Sequence, residues 1–129
     1  MKFDDAAHPP LNVFDALCPS RQTLGQVTAR WAPLVLAALS DEPIRFAELR
    51  RSVDGISDRM LSQTLHNLEA GGLVIRDVKS SIPPHVEYHL SEPGLRIAGK
   101  IRELIDVLYD ELPTIMAFRA ANTSQETTP

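Results

Sequence analysis

The sequence predicts an α+β domain, and three observations carry that prediction. The first half holds short segments in which apolar residues recur at helical spacing, each broken by Pro or Gly. Two segments of alternating apolar and polar residues follow, 74–78 and 86–90, joined by a loop that contains Pro83 and Pro84. Last comes a stretch from 98 to 115 whose apolar residues step by threes and fours.

Composition bounds what such a domain can be. At 129 residues, 43% hydrophobic and 23% charged, the chain fits one globular unit with one core. We read residues 1–17 as an arm, 18–119 as the domain and 120–129 as a disordered tail without core-forming residues. No apolar run approaches the roughly 20 residues that span a bilayer. The start Met1-Lys2-Phe3-Asp4-Asp5 is too acidic for a signal peptide. A cytoplasmic protein with no membrane partner is expected. A single Cys cannot build a disulfide framework or a Cys-rich zinc site, and His8, His66, His85 and His89 lack paired ligand spacing. Neither a metal nor a cofactor is expected, and no acid, base and nucleophile combine into an enzyme motif.

Cys18-Pro19 opens the first helix, with Pro at the first helical position and Leu24, Val27 and Trp31 at helical spacing. Pro33 interrupts it, and Leu34, Val35, Ala38 and Leu39 mark a second helix ending near Ser40. Asp41-Glu42-Pro43 turns the chain, and Ile44-Arg45 makes at most a very short strand. Phe46, Leu49 and Val53 mark a third helix, closed by Asp54-Gly55.

The next helix is the most informative. Ser57 takes the N-cap position, with Ile56 before it and Leu61 at the fourth helical residue, the pattern of a hydrophobic staple. Leu61, Leu65 and Leu68 form one apolar stripe. At about 100° per residue, Arg59, Gln63 and His66 fall opposite it, with Ser62 at the edge. Gly71-Gly72 ends the helix. The strands that follow, carrying Val74, Val78, Val86, Tyr88 and Leu90, are joined through residues 79–85, whose prolines suit a hairpin tip.

The last helix, 92–119, carries Ala98, Ile101, Ile105, Leu108, Leu112 and Ile115, an a/d repeat that suits a partner helix, widened by Leu104 and Val107. Pro113 should kink or restart it. Ile101, Ile105, Leu108, Leu112 and Ile115 are the expected dimer interface.

Short helices, a hairpin and a long helix with a dimer-like seam are the order of a winged helix-turn-helix. The leucine stripe would anchor a recognition helix while Arg59, Ser62, Gln63 and His66 enter a major groove, where Arg pairs guanine and Gln pairs adenine. Ser57, Arg50, Arg51, Lys79, Ser80 and Ser81 would hold phosphates or the minor groove. The formal charge of −4 does not oppose this. Residues 44–90 carry six basic and six acidic residues, so the acidic excess lies in the flanks, and phosphates respond to one local face.

The same residues carry a family resemblance. The run from Cys18 to Gly94, about three-fifths of the chain, resembles the HxlR-type subgroup of MarR-like bacterial transcriptional regulators. It rests on Cys18-Pro19, Arg30-Trp31, Arg45-Phe46-Ala47-Glu48-Leu49, Gly55-Ile56-Ser57-Asp58-Arg59-Met60-Leu61, Leu68-Glu69-Ala70-Gly71-Gly72-Leu73-Val74, Pro83-Pro84, Val86-Glu87-Tyr88 and Leu90-Ser91-Glu92-Pro93-Gly94. The chain departs from the family at Thr28-Ala29-Arg30, where glycines and Lys are usual, and at Pro93, where Leu is usual. The resemblance implies a homodimer on near-palindromic double-stranded DNA, with N- and C-terminal dimerisation helices.

Three further features have expectations attached. Cys18, an N-cap at the positive end of a helix, is a candidate redox sensor, as similar cysteines are in several relatives. With no second Cys, any disulfide would join two chains or a small thiol. Trp31, Val35, Tyr109 and Phe118 are candidate walls of an effector cavity between the DNA-binding and dimer helices. Gly94 to Lys100 matches G-x-x-x-x-G-K, but Ile101 follows where a hydroxyl is needed, and the glycines lie in a helical pattern. The competing functional class is a winged helix that binds a protein partner rather than DNA.

Overall fold

The computed structural model describes residues 10–126. The element order is α1 (Pro19–Val27), α2 (Ala32–Ala38), β1 (Ile44–Arg45), α3 (Phe46–Ser52), α4 (Asp58–Ala70), β2 (Val74–Lys79), β3 (His85–Leu90) and α5 (Glu92–Glu126). The strands form one antiparallel sheet in the order β1-β3-β2. This is the α+β winged helix-turn-helix that the sequence predicts.

Local chemistry explains the boundaries. Pro19 starts α1 after Cys18, whose backbone is extended. The helix stops at Val27, with the Thr28 hydroxyl folding back onto the Leu24 carbonyl at 2.7 Å. Trp31, which spacing joined to Leu24 and Val27, instead sits before α2 as its N-cap. Pro33 at the second helical position has no N–H to give to a continuing α1, so the chain restarts there. Gly55, with φ +86°, turns α3 into α4.

The core is built by the faces these helices turn inward. Val35, Leu36, Leu39, Leu49, Leu61, Leu65 and Leu68 are fully buried, and Leu73, Val74, Leu90 and Ala98 close the cluster from the sheet and α5. Fully burying a branched aliphatic side chain contributes about 1.5–3 kcal/mol, so this cluster is what holds α4 to the body.

Two expectations change at the C-terminal end. The last helix does not restart at Pro113: α5 runs unbroken to Glu126. Pro113 removes only the donor to the Tyr109 carbonyl, and both residues are exposed, so water can satisfy that oxygen. Residues 120–126, read as disordered tail, extend the same helix, with the Thr123 hydroxyl bonded to the Arg119 carbonyl at 2.9 Å. Ala120 and Ala121 favour helix, which composition read only as a lack of core residues. Of the expected arm, residues 1–9 lie outside the described residues. Residues 10–17 form turns, with Asp15 N–H on the Asn12 carbonyl and Cys18 N–H on the Asp15 carbonyl, both at 3.0 Å. Residues 127–129 of the tail also lie outside.

Candidate nucleic-acid interface

Helix α4 is placed by three devices. At its start the Ser57 hydroxyl accepts the Met60 N–H at 3.1 Å, and Ile56 and Leu61 are both buried on either side of that cap. Along its length Leu61, Leu65 and Leu68 lie against the core. At its end the Leu73 N–H reaches the Leu68 carbonyl at 2.9 Å and the Gly72 N–H reaches Glu69 at 3.0 Å. That is a Schellman closure, and it needs the left-handed φ of +82° that Gly72 supplies. A helix held on one side and capped at both ends presents the other side rigidly. Arg59, Ser62, Gln63 and His66 are all exposed there.

The surrounding cations are not equivalent. Arg51 is exposed and makes no ion pair among the described residues. Arg50 is paired through Nε with the Asp58 carboxylate in the first turn of α4. Lys79 is paired with Asp77 at 2.8 Å. The hydrogen bond from Lys79 holds the Asp77 carboxyl below its ordinary range, and the same bond raises the Lys79 ammonium above its own. Both groups stay charged at neutral pH, and their charges cancel locally.

Strand register decides which way the hairpin's side chains point. Val74 pairs with Leu90, Arg76 with Tyr88 and Val78 with Val86, and directly opposed residues share a face. Val74 and Leu90 are buried, so Arg76 and Val78 lie on the face toward the helices. Asp77, Lys79, His85 and Glu87 take the opposite face, where His85 Nε2 meets Glu87 at 2.8 Å. Lys79 therefore leaves the wing on the side away from α4. At the tip Ser80 is exposed and Ser81 Oγ donates to the Pro83 carbonyl at 3.4 Å.

Arg76 was missed by sequence reasoning. It is exposed and shares a shallow depression of about 450 Å³ with His66, Glu69 and Ala70. The signal was present: Val74, Arg76 and Val78 alternate along one strand face, and α4 is the element beside it.

Cys18 is partly exposed at the start of α1. Its sulfur lies 3.1 Å from Ser20 Oγ and accepts the Asn12 N–H at 3.4 Å. These hydrogen bonds, Ser20 first, lower the thiol pKa from its ordinary value. Gly94 to Lys100 lie within α5, so that motif forms no phosphate loop.

One chain does not assemble the expected effector cavity. Val35 is fully buried, and Trp31 packs on the core with the Arg30 guanidinium 5.2 Å from its ring centre. Tyr109 and Phe118 are 70% and 69% exposed on the far part of α5. A half-open cleft of about 310 Å³ lies elsewhere, among Gln22, Gln26, Ala29, Thr64 and Asn67, between α1 and α4. Along the expected dimer seam, Ile101 packs on the core, Ile105 and Ile115 are half-buried, and Leu108 and Leu112 are exposed. Among the described residues no group of three His, Cys, Asp or Glu is placed to hold a metal, and no helix is long and apolar enough to cross a membrane.

A family model described as HxlR-like helix-turn-helix matches residues 26–115, which include α2 to β3 and most of α5. The chain belongs to the HxlR-like helix-turn-helix family. Similar proteins include the uncharacterised HTH-type transcriptional regulator YtfH of Escherichia coli K12. That protein is 42% identical over 108 residues, covering 84% of this chain and 86% of YtfH. The solved structure of the transcriptional regulator YtfH from Salmonella typhimurium has a TM-score of 0.75 at 42% identity, over 84% of this chain and 97% of that one. The redox regulator HypR, in its reduced form, gives a TM-score of 0.68 at 30% identity, over 77% of this chain and 98% of its own. This HxlR-like chain is thus a transcriptional regulator with a helix-turn-helix DNA-binding fold.

Proposed function

We propose that this HxlR-like regulator binds a near-palindromic operator as a homodimer, with α4 of each protomer in a major groove. The observation that carries the reading is the division of α4. Three leucines are fully buried on one side, while Arg59, Ser62, Gln63 and His66 stand exposed on the other. Arg59 and Gln63 read bases, and Arg51, Ser57, Ser80 and Ser81 meet phosphates. Arg50 and Lys79 join them only by leaving Asp58 and Asp77. Arg76 adds a cation beside His66.

Dimerisation is supported by apolar surface that one chain leaves uncovered. Leu104, Val107, Leu108, Leu112, Met116 and Phe118 are exposed along α5. A groove of about 450 Å³ between α1 and α5, walled by Leu24, Val27, Ile97 and Leu104, continues that surface. Patches of this kind mark association surfaces.

Cys18 is the proposed signal input, for an oxidant or electrophile. Its lowered pKa favours the thiolate, which is the reactive form. Similarity to HypR, a redox regulator, supports the same reading.

Selection from random duplex DNA with reduced protein tests the proposal. The expected result is an enriched inverted repeat with half-sites about one helical turn, roughly 34–36 Å, apart. No enrichment by folded, dimeric protein would overturn DNA recognition in favour of a protein partner, whose binding would lack the steep salt dependence of phosphate contacts.

A further inference from the structure

Resting on the dimeric operator reading above, we propose that Arg102 determines which half-site spacing the regulator accepts, by locking the direction in which α5 leaves the DNA-binding body.

Arg102 is half-buried and lies on α5, yet its two carbonyl partners belong to the last turn of α2 and to the Leu39 cap that follows it. Its Nε donates to the Ala37 carbonyl at 3.2 Å, and its Nη2 donates to the Leu39 carbonyl. These oxygens stand at the C-terminal end of α2, where carbonyls lack intrahelical donors and the helix dipole is negative. A planar guanidinium with two donors in a fixed fork sets an angle between the helices, which a single contact would leave free.

The position along α5 gives the contact its leverage. At the start of the helix the Ser91 hydroxyl donates to the Gly72 carbonyl at 2.7 Å and accepts the Gly94 N–H at 3.1 Å. Arg102 is a second mount about 12 Å farther along, at a rise of 1.5 Å per residue. Between the two mounts Leu95, Ala98 and Ile101 pack on the core, and Arg102 adds the last directional contact before the helix leaves the body. Beyond them the helix is unsupported: from Asp106 to Thr123 every residue except Ile115 is exposed.

Magnitude shows why this matters for DNA. From Arg102 to Ile115 the helix advances roughly 20 Å. A tilt of about 10° at the mount moves the seam by about 3.5 Å, close to the ~3.4 Å rise of one base pair. A body that rocks by this amount on its dimer helix would accept operators differing by one base pair. A body that is clamped would not.

The test uses the full chain and the selected operator, with the half-sites moved apart or together by one and two base pairs. Arg102→Met keeps an unbranched side chain and removes both donors; Arg102→Lys keeps the charge without the fork. Wild type should discriminate sharply between spacings. R102M should lose at least five-fold of that discrimination, with affinity for an isolated half-site and the dimer dissociation constant unchanged, and R102K should fall between. A lower Tm with the wild-type spacing profile would overturn the proposal, because it is what a purely structural role produces. Should R102M fail to fold, R102K with spin labels at Asn67→Cys in a Cys18→Ser background reads the same motion without DNA. A broadened distance between the two labels supports the clamp, and an unchanged distance overturns it. A wild type indifferent to spacing would instead overturn the dimeric operator reading, and the clamp with it.

Discussion

Gly94 lies so close to Leu73 that a β-carbon at position 94 would stand 2.1 Å from the Leu73 carbonyl oxygen. The obstacle is backbone, and the Ser91 N–H already bonds that oxygen at 3.0 Å, so neither side can yield without moving the root of the wing from the start of α5. Gly94→Ala should therefore destabilise the fold by about 1–3 kcal/mol, the usual range for an overpacked site. Urea unfolding monitored by helical circular dichroism checks it. Gly99→Ala, at a helical position with open space around the added carbon, is the control and should be neutral or slightly stabilising.

Gln63→Ala should alter sequence preference at one base pair of each half-site, by about 1–3 kcal/mol, while leaving the salt dependence of binding unchanged. Arg51→Ala should do the reverse, weakening all sequences together and lowering the salt slope by about 0.9 per protomer, roughly 1.8 for the dimer. Anisotropy titrations on matched and single-substituted operators, at four salt concentrations, separate the two. If Arg51 changed base preference, the assignment of phosphate and base roles would be wrong.

Asp77 restrains Lys79, and removing the restraint has a direction. Asp77→Asn abolishes the carboxylate that neutralises the ammonium and should tighten binding at low salt, steepening the salt slope by about 0.9 per protomer, roughly 1.8 for the dimer, if Lys79 then reaches a phosphate. Lys79→Ala leaves Asp77 unpaired near the DNA and should weaken all sequences alike and flatten the slope. An Asp77→Asn protein with unchanged affinity and slope would show that Lys79 never meets a phosphate, as its place on the outer face of the wing allows.

Cys18 should be alkylated at a pH below that of an ordinary thiol. The sign follows from its partners: hydrogen bonds from Ser20 and the Asn12 N–H favour the thiolate, so the midpoint of the rate against pH shifts down. Ser20→Ala removes the larger contribution and should move the midpoint up toward the ordinary value. Stopped-flow reaction with iodoacetamide reads both. Cys18→Ser should separately abolish any response of operator binding to peroxide or quinone, and a response retained in that variant would exclude Cys18 as the sensor.

Much of this was legible in the sequence because it is local. The Ser57 cap, the Ile56–Leu61 staple, the Leu61-Leu65-Leu68 stripe and the Gly71-Gly72 stop all depend on residues a few positions apart, and one-dimensional spacing reports such relations directly. Strand alternation likewise placed the hairpin. Other features were decided only in three dimensions. Cross-strand register sent Lys79 to the face away from α4 and Arg76 toward His66. Chain packing brought Arg50 onto Asp58 and Arg102 onto the end of α2, the latter across 63 and 65 residues. It also left Tyr109 and Phe118 exposed on α5 while Val35 is buried, so a single chain does not bring the four expected cavity residues together. Helical period and capping are properties of a segment, whereas the partner of a charge depends on which segments fold side by side. The sequence therefore determined which helix faces outward, and the tertiary structure decided which of its neighbouring charges are free to meet a phosphate.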